Sequence, residues 1–525
     1  MAWIHNPILR GFNPDPSIVR VGEDYFIATS TFEWFPGVQI HHSRDLVHWR
    51  LLTHPLTRTS QLDMAGNPPS AGIWAPCLSH DGQRFHLIYT DVKSMPATFI
   101  DAHNYLVTAE SIEGPWSEPV ALNSSGFDPS LFHDDDGRKW LVNMLWDHRT
   151  GQNRFAGIVL QEYSPGEGRL TGPVTNIFRG TALGATEGPH LYKRNGVYYL
   201  MVAEGGTGYG HAVTVARSSA LGGPYEADPA GPMLTSRANP DLPLQKAGHA
   251  SLVETADGRW YLVHLTGRPI MPFRRCPLGR ETAIQEVAWT PDGWLRMAGG
   301  GHEPALTVPA PDLPAHLFKE EPPRDDFDHD VLSVHFSTLR VPADESWLSL
   351  TERPGYLRLR GRESLNSTFR QSLVARRVQA LDFTAMAAVQ FQPEHFQQMA
   401  GLVCLYDVEN WYYLQISRDE QVGRCLNLLR SLNGRYDEPV TRVELPEQGA
   451  VHLRAAVSGA TLRFAWSLDG RTWTTEGPPL DFTALSDEAC RVGRFTGAFV
   501  GVCCQDLAGT RREADFDYFE YRESE

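Results

Sequence analysis

Three carboxylic side chains stand at matching places in a segment that recurs along the first half of the chain. Asp15 and Asp128 each begin an Asp-Pro-Ser segment, and Glu187 precedes Gly-Pro-His. Cleavage of a glycosidic bond needs two such carboxyls, one protonated to donate to the leaving oxygen and one ionised. A third carboxylate beside the acid raises its pKa, because neighbouring like charges resist joint ionisation. Asp15, Asp128 and Glu187 are therefore the candidate catalytic residues.

The recurring segment is a β-strand unit of nearly constant length. Its five copies lead at positions 15, 75, 128, 188 and 249, in steps of 53 to 61 residues. Each copy continues into a short apolar strand, a tight turn and an aromatic-led strand. Four of the turns contain the strongest short signal for a hairpin: Asp81-Gly82, Asp136-Gly137, Asn195-Gly196 and Asp257-Gly258. Repeated units of about four antiparallel strands form a β-propeller, so the sequence predicts five blades.

The leading residues of the five copies are expected to meet at one mouth of the central channel, because the first strand of each blade lines it. Carboxyls on roughly opposite sides suit the spacing, about 6.5–9.5 Å, at which one of them activates water. The second copy contributes Ala75 beside Trp74, and the fifth contributes His249. Sugar rings present flat C–H faces that pack on aromatic rings. Four aromatic residues near the leading positions could wall such a pocket: Phe32, Trp34, Trp74 and Trp146.

The rest of the chain shows the alternation of a second β-domain. We expect the propeller to occupy residues 1–302 and a stiff, proline-rich linker to occupy residues 303–323. Residues 324–525 contain strands that alternate polar and apolar side chains, as in Leu462–Leu468 before the Asp469-Gly470 turn. This pattern indicates antiparallel sheets packed on one face. The predicted fold class is all-β: a five-bladed propeller followed by a C-terminal β-sandwich of jelly-roll, lectin-like type.

Length, charge and cysteine content narrow the class of protein and partner. A chain of 525 residues is too long for one core, and its net charge of −16 opposes binding to nucleic acid or an anionic membrane. The seven cysteines are odd in number and scattered, which is not typical of a disulfide framework or a metal site. No secretory leader pattern opens the chain, and its apolar runs are shorter than the ~20 residues of a membrane span. We expect a cytoplasmic protein.

The carboxylate segments resemble the three catalytic motifs of glycoside hydrolase family 43, most closely those of its two-domain members. The matching segments are Asn6–Phe12, Asn13–Ser17, Phe127–Ser130, Thr186–Pro189, Leu278–Thr282 and Phe495–Gly501. Because segments from both predicted domains agree in order and spacing, the resemblance covers essentially the whole chain.

The resemblance implies a role for each carboxyl. Asp15 would be the general base, Glu187 the general acid and Asp128 the group that modulates the acid. The implied activity is that of an exo-acting, inverting β-xylosidase, which releases xylose from the non-reducing end of β-1,4-xylooligosaccharides. Such relatives are often oligomers, so a homo-oligomer, a tetramer or a dimer, is also implied.

The resemblance further implies contacts with the sugar. Arg280 would bind its hydroxyls with Thr207 as a further contact, and Phe499 would reach from the sandwich to close the pocket. His249 would lie under the pocket, where some relatives hold a calcium ion directly or through waters. No cofactor is expected to be required, and a structural calcium near His249 is the only metal that the resemblance suggests.

Several of these residues also have a purely structural interpretation. Asp-Pro-Ser segments often form turns in which the carboxylate accepts backbone hydrogen bonds. Trp74 and Trp146 could pack blades together. Arg280 could pair with Glu281, and His249 could be a hydrogen-bonded core residue.

Two other functions stay open at this stage. An α-L-arabinofuranosidase or a bifunctional enzyme is the first, because xylose and arabinofuranose present similar hydroxyls near the cleaved bond. A non-catalytic, sugar-binding propeller is the second. It would keep the aromatic residues but would not need three carboxylates at equivalent positions of the repeat.

Overall fold

The computed structural model describes residues 2–95, 98–492 and 494–524. Within those residues the regular structure is all strand apart from one 3-10 turn, Phe482–Ala484. The chain forms a five-bladed β-propeller followed by a β-sandwich, which confirms the predicted fold class. None of the described segments forms a helix that is long and apolar enough to cross a membrane. All seven cysteines are buried free thiols.

Each blade is built from consecutive strands, listed here from the channel outward. Blade 1 comprises Ser17–Val21, Asp24–Thr29, Gln39–Ser43 and Arg50–Thr53. Blade 2 comprises Cys77–His80, Phe85–Ser94, Asp101–Ala109 and Val120–Ala121, with Gly72–Ile73 also paired to its second strand. Blade 3 comprises Ser130–His133, Lys139–Trp146, Phe155–Ser164 and Arg169–Phe178. Blade 4 comprises Glu187–Arg194, Val197–Glu204, Ala212–Ser218 and Glu226–Ala227, with Leu234–Thr235 paired to its third strand. Blade 5 comprises Gln245–Glu254, Trp260–Gly267, Glu281–Trp289 and Leu295–Met297.

Four of the five repeat-leading residues share a left-handed backbone conformation. Their φ angles are 55° at Asp15, 53° at Asp128, 55° at Gly188 and 44° at His249. Residues other than glycine seldom adopt positive φ, and such positions concentrate at functional sites. Gly188 has a second reason to be glycine, because a Cβ there would lie 2.9 Å from the His249 ring. The repeat therefore encodes one local geometry at the mouth of the channel.

The serine two residues after three of the leading positions joins the inner strands of neighbouring blades. The Ser17 hydroxyl accepts a hydrogen bond from the Leu78 N–H (3.0 Å), which joins blades 1 and 2. The Ser130 hydroxyl donates to the Pro189 carbonyl (2.6 Å), which joins blades 3 and 4. Ser251 of blade 5 accepts from a backbone N–H of blade 1 at 3.2 Å. These buried bonds satisfy polar groups at the ring's centre and fix how the blades meet.

The N-terminal residues lie across the outside of blade 5. Trp3–His5 pairs with Thr307–Pro309, a strand inside the predicted linker. The Asn6 side chain donates to two backbone carbonyls and accepts from the Ile284 N–H at 2.8 Å, so it is fully bonded while buried. Asn6 therefore links the start of the chain and the residues after blade 5 to the third strand of that blade, Glu281–Trp289.

The C-terminal domain consists of two antiparallel sheets around one apolar core. The first sheet runs in the order Leu348–Ser349, Leu357–Arg360, Glu513–Glu523, Asp382–Phe391, Val451–Ser458, Thr461–Ser467 and Thr474–Asp481, and Arg324–Asp325 pairs with its third strand. The second sheet runs in the order Ser372–Arg377, Phe499–Asp506, Gln398–Asp407, Asn410–Asp419, Gly423–Leu432 and Arg435–Asp437, and Val443–Glu444 pairs with its fifth strand. The core lies between the sheets and includes residues of both.

The two domains share a strand pair and an aromatic stack. Trp34–Phe35 of the propeller pairs with Thr338–Leu339 of the second domain. The rings of Trp34 and Phe499 are parallel within 12° and their centroids are 3.6 Å apart. Arg377 of the sandwich donates to the Phe12 carbonyl of the propeller at 2.8 Å. The contact between the domains is thus a packed interior that includes backbone pairing.

Truncating Trp34 to alanine should destabilise the protein by about 3–5 kcal/mol, because the change leaves a cavity in a fully buried aromatic stack. Trp34 is 1% exposed. The free energy of unfolding from urea titration would measure the loss. Trp3→Ala is the matched control, since Trp3 is 50% exposed, and it should cost about 1 kcal/mol or less. Equal losses in the two variants would contradict the importance of this stack.

Candidate active site

A pocket of about 360 Å³ opens where the leading residues of the repeats converge. Every blade and the sandwich contribute to its wall, which is formed by Asp15, Phe32, Trp74, Ala75, Phe127, Asp128, Glu187, Thr207, His249, Arg280 and Phe495. It combines apolar walls with a few convergent polar groups, as small-molecule sites do.

The Asp15 carboxyl is held in the ionised state. Burial by itself would raise its pKa, but the charge of Arg280 and a hydrogen bond from Ser30 bring the pKa below its ordinary value. Ser30 donates to one carboxyl oxygen at 2.7 Å, and an Arg280 nitrogen lies 3.4 Å from the other. Asp15 is therefore suited to act as a base, which can accept a proton from water.

The other two carboxyls are held in the protonated state. Burial and the negative charge of Asp15 raise the pKa of Glu187 to about 8. Burial and the charges of Glu187 and Asp15 raise the pKa of Asp128 well above its ordinary value. The two residues are also linked directly, since the Gly188 N–H donates to Asp128 at 3.0 Å. Asp128 thus fixes the backbone that carries Glu187, and Glu187 is suited to donate a proton near neutral pH.

Arg280 is the cation of the pocket wall and bonds to both domains. It donates to the Thr207 hydroxyl at 2.8 Å and to the Phe495 carbonyl at 2.9 and 3.2 Å. Glu281, its alternative partner, pairs instead with Arg268 at 2.7 Å. Arg280 therefore faces the pocket, and Thr207 lies in the wall beside it.

Four aromatic rings line the pocket beside its polar groups, and the Arg280 guanidinium lies over two of them, Phe32 and Phe495, at 5.2 and 5.3 Å. Phe32, Trp74, Phe127 and Phe495 form a connected set with ring centroids 4.9–6.3 Å apart. The Trp74 indole N–H donates to the Ser70 carbonyl at 2.9 Å, which fixes the orientation of the ring. Such surfaces suit the C–H face of a sugar, and the burial of large rings also stabilises the site.

His249 lies in the pocket wall with its Nδ1 3.9 Å from an Asp15 oxygen. Burial and the charge of Arg280 lower its pKa, although the charge of Asp15 opposes them, so the imidazole is neutral. Calcium prefers six to eight oxygen ligands. Among the residues that the structure describes, no three His, Cys, Asp or Glu side chains are grouped so as to hold a metal. His249 and its neighbours therefore do not fit direct binding of calcium.

Three residues expected in the pocket lie away from its wall: Trp34, Trp146 and Phe499. Trp34 is buried in the domain interface, where its ring stacks on Phe499. Phe499 does not close the pocket, because it is fully buried in the domain interface under Trp34. The sandwich residue in the wall is Phe495, four positions earlier in the same segment. Trp146 packs against Phe127 from outside the wall, at 6.2 Å between centroids, and its indole N–H donates to the Thr98 carbonyl.

Phe127 and Phe495 line the pocket, although neither was predicted from the sequence as a pocket residue. Phe127 directly precedes Asp128, so its place in the motif was an available signal. Phe495 begins the Phe495–Gly501 segment, but nothing in a loop sequence indicates which of two phenylalanines points into a neighbouring domain. The other expected contacts, Phe32, Trp74, Thr207, His249 and Arg280, lie in the wall.

The pocket combines one ionised carboxyl and two protonated carboxyls with an aromatic wall. A protonated acid and an ionised base on either side of a sugar are the requirements for hydrolysis of a glycosidic bond. The acid and the base come from blades 4 and 1, which are not neighbours, since blade 5 lies between them in the ring. This placement leaves the channel mouth between the two carboxyls for the substrate.

Comparison with known families assigns both domains. The model for glycosyl hydrolases family 43 matches residues 4–295. The model for the beta xylosidase C-terminal Concanavalin A-like domain matches residues 324–522. The three carboxyls, Arg280 and His249 all lie within the first match.

Individual relatives match the whole chain. A protein named beta-xylosidase from Bacillus subtilis (strain 168) is 53% identical, with 99% of each chain covered. Xylosidase/arabinosidase 43B from Humicola insolens is 54% identical, with 99% of this chain and 98% of the relative covered. The crystal structure of xylan beta-1,4-xylosidase from Bacillus halodurans C-125 superimposes with a TM-score of 0.98 at 59% identity and covers 99% of this chain and 100% of its own. The chain is a glycoside hydrolase and belongs to family 43.

Proposed function

We propose that this enzyme is an exo-acting β-xylosidase that releases xylose from the non-reducing end of β-1,4-xylooligosaccharides. The observation that carries the proposal is the pair of oppositely protonated carboxyls, Asp15 and Glu187, in one aromatic-walled pocket. Phe495 of the sandwich forms part of that wall, which favours entry of a chain end over a continuous polymer. The names of the full-length relatives from Bacillus support xylose as the sugar.

In the proposed reaction a water molecule attacks the anomeric carbon while the glycosidic bond breaks. Asp15 accepts the proton of this water, and Glu187 donates its proton to the leaving oxygen. Arg280 keeps Asp15 ionised and binds sugar hydroxyls. Asp128 accepts the Gly188 N–H and so positions the backbone that carries Glu187, whose pKa is raised by burial and by the charge of Asp15. The separation of blades 1 and 4 supports a water between base and anomeric carbon, and hence inversion.

The proposal extends to the state and location of the enzyme. A homo-oligomer, dimer or tetramer, would be measured by light scattering of the purified protein, and a monomer would overturn that part. A cytoplasmic location, where imported xylooligosaccharides would be hydrolysed, would be tested by fractionation of the cells that make it. Finding the enzyme outside the cells would overturn it.

The sugar preference is tested with p-nitrophenyl β-D-xyloside beside p-nitrophenyl α-L-arabinofuranoside. We expect a higher kcat/KM for the xyloside, with measurable activity on the arabinoside, because a relative named xylosidase/arabinosidase is 54% identical. Xylobiose should be hydrolysed to xylose, and hydrolysis of p-nitrophenyl β-D-xyloside followed by NMR should show α-xylose first, as inversion requires. Activity should survive EDTA, since the site offers no direct calcium cage.

Each outcome of these assays decides one part of the proposal. A preference for the arabinoside would change the substrate and leave the mechanism in place. Initial release of β-xylose would contradict inversion. Loss of activity in EDTA that calcium restores would show that an ion acts through water at His249. Absence of turnover on both glycosides and on xylobiose would overturn the exo-glycosidase function.

The acid and the base can be distinguished by the leaving group. Glu187→Gln should lower kcat by about 10²–10⁴-fold on xylobiose, whose leaving sugar needs a proton. The loss should be much smaller on the p-nitrophenyl xyloside, because nitrophenolate leaves without protonation. Asp15→Asn should lower kcat by a similar factor on both substrates, because every substrate needs an activated water. Equal behaviour of the two variants would contradict the assigned roles.

The rate should fall on both sides of a broad pH plateau. Glu187 acts only when protonated, so kcat/KM should decline as pH rises through its pKa, about 8. Asp15 acts only when ionised, so the decline at low pH should lie below the ordinary carboxyl value, because its pKa is lowered. A pH profile of kcat/KM measures both limbs, and the upper limb belongs to Glu187 and Asp128 together. An upper limb near pH 4.5 would contradict a buried, protonated acid.

A further inference from the structure

The backbone of Phe495 connects the sandwich to the catalytic pocket through both of its polar atoms. Its carbonyl accepts hydrogen bonds from two nitrogens of Arg280, at 2.9 and 3.2 Å. Its N–H donates to the Ser70 hydroxyl at 3.2 Å. The direction of the Arg280 guanidinium therefore depends on where the sandwich places this one carbonyl.

The next residue is held by a buried tyrosine of the sandwich. The Thr496 N–H donates to the Tyr406 hydroxyl at 3.3 Å. That hydroxyl donates in turn to Asp487 at 2.6 Å, and the other Asp487 oxygen lies 3.4 Å from the Lys246 ammonium of blade 5. Tyr406 is 1% exposed and Lys246 is 3% exposed. The chain of bonds thus begins and ends in the propeller and passes through the sandwich.

The packing around this backbone leaves no room for it to adjust. A Cβ placed on Gly279 would lie 2.3 Å from the Thr496 carbonyl oxygen and 2.8 Å from Gly497. Gly279 directly precedes Arg280, so the two backbones touch without an intervening side chain. A shift of Thr496 is therefore transmitted to Arg280, because close-packed interiors pass on small displacements.

We propose that Tyr406 is a positioning residue for hydrolysis: it fixes the Phe495–Thr496 backbone, whose carbonyl orients Arg280 toward Asp15 and the sugar. The inference rests on the proposed function of the pocket. Tyr406 does not line the pocket, and it acts on the sugar through the Phe495 carbonyl and the Arg280 guanidinium. Asp487 and Lys246 hold the tyrosine hydroxyl in place.

A purely structural role is the alternative, and a matched tyrosine separates the two. Tyr406→Phe keeps the ring and removes only the hydroxyl. The control is Tyr412→Phe, since Tyr412 is also 1% exposed and its hydroxyl donates to the Asp481 carbonyl at 2.8 Å, away from the pocket wall. Each variant loses a buried hydroxyl with its hydrogen bonds, so both should lower the Tm.

The positioning role predicts that the two variants differ in catalysis. Tyr406→Phe should lower kcat/KM for p-nitrophenyl β-D-xyloside about tenfold, mainly through a higher KM, because Arg280 binds the sugar before the bond breaks. Tyr412→Phe should stay within about twofold of the wild type. If Tyr406→Phe also stays within twofold, the inference is overturned while the activity of the wild-type enzyme upholds the proposed function.

A double-mutant cycle identifies the route of the effect. Arg280→Lys keeps the charge but cannot make the paired bonds to the Phe495 carbonyl. In that background Tyr406→Phe should change kcat/KM by less than about twofold, since residues that act through one another are not additive. A full tenfold loss in both backgrounds would show that Tyr406 acts independently of Arg280 and would overturn the inference.

Discussion

The active site depends on the balance of charge around the buried Arg280 guanidinium. Three carboxyls surround the pocket, Asp15 and Asp128 buried and Glu187 half-buried, and only Asp15 has an Arg280 nitrogen within 3.4 Å. The buried carboxyl next to the cation stays ionised, while burial and the remaining negative charge keep Glu187 and Asp128 protonated. The difference between acid and base thus arises mainly from the position of one cation, together with the Ser30 hydrogen bond to Asp15.

The position of that cation is a property of both domains together. Arg280 comes from blade 5, but the carbonyl that accepts two of its bonds belongs to Phe495 of the sandwich. The strand pair between Trp34–Phe35 and Thr338–Leu339 and the stacked rings of Trp34 and Phe499 hold the domains in register. The electrostatics of the active site therefore depend on domain packing, because a displaced sandwich would also displace the Phe495 carbonyl that binds Arg280.

The sequence was most informative where the fold repeats. Asp15, Asp128 and Gly188 occupy equivalent left-handed positions, so their period predicted both the five blades and the meeting of the carboxyls. Individual contacts across the domain boundary were not predictable, because they depend on non-repeating loops. Phe499 was expected in the pocket and is buried in the interface, while Phe495 of the same segment lines the wall. The alternation of polar and apolar side chains in the C-terminal domain likewise predicted a sandwich but not the order of its strands.

The propeller ring closes between blades 1 and 5, and two active-site residues, Asp15 and Arg280, lie at that junction. The Asn13 N–H donates to the Arg280 carbonyl at 2.9 Å, and the Thr282 hydroxyl donates to the Asn13 carbonyl at 2.6 Å. Each blade is made of consecutive residues, so blades 1 and 5 are joined by non-covalent contacts. These bonds and the hydrogen bond to Ser251 are among the contacts that close the ring. Asp15 and Arg280 face each other across this seam. Catalytic turnover therefore requires that the ring of blades be closed. A measurement of β-structure content alone would not detect an open ring.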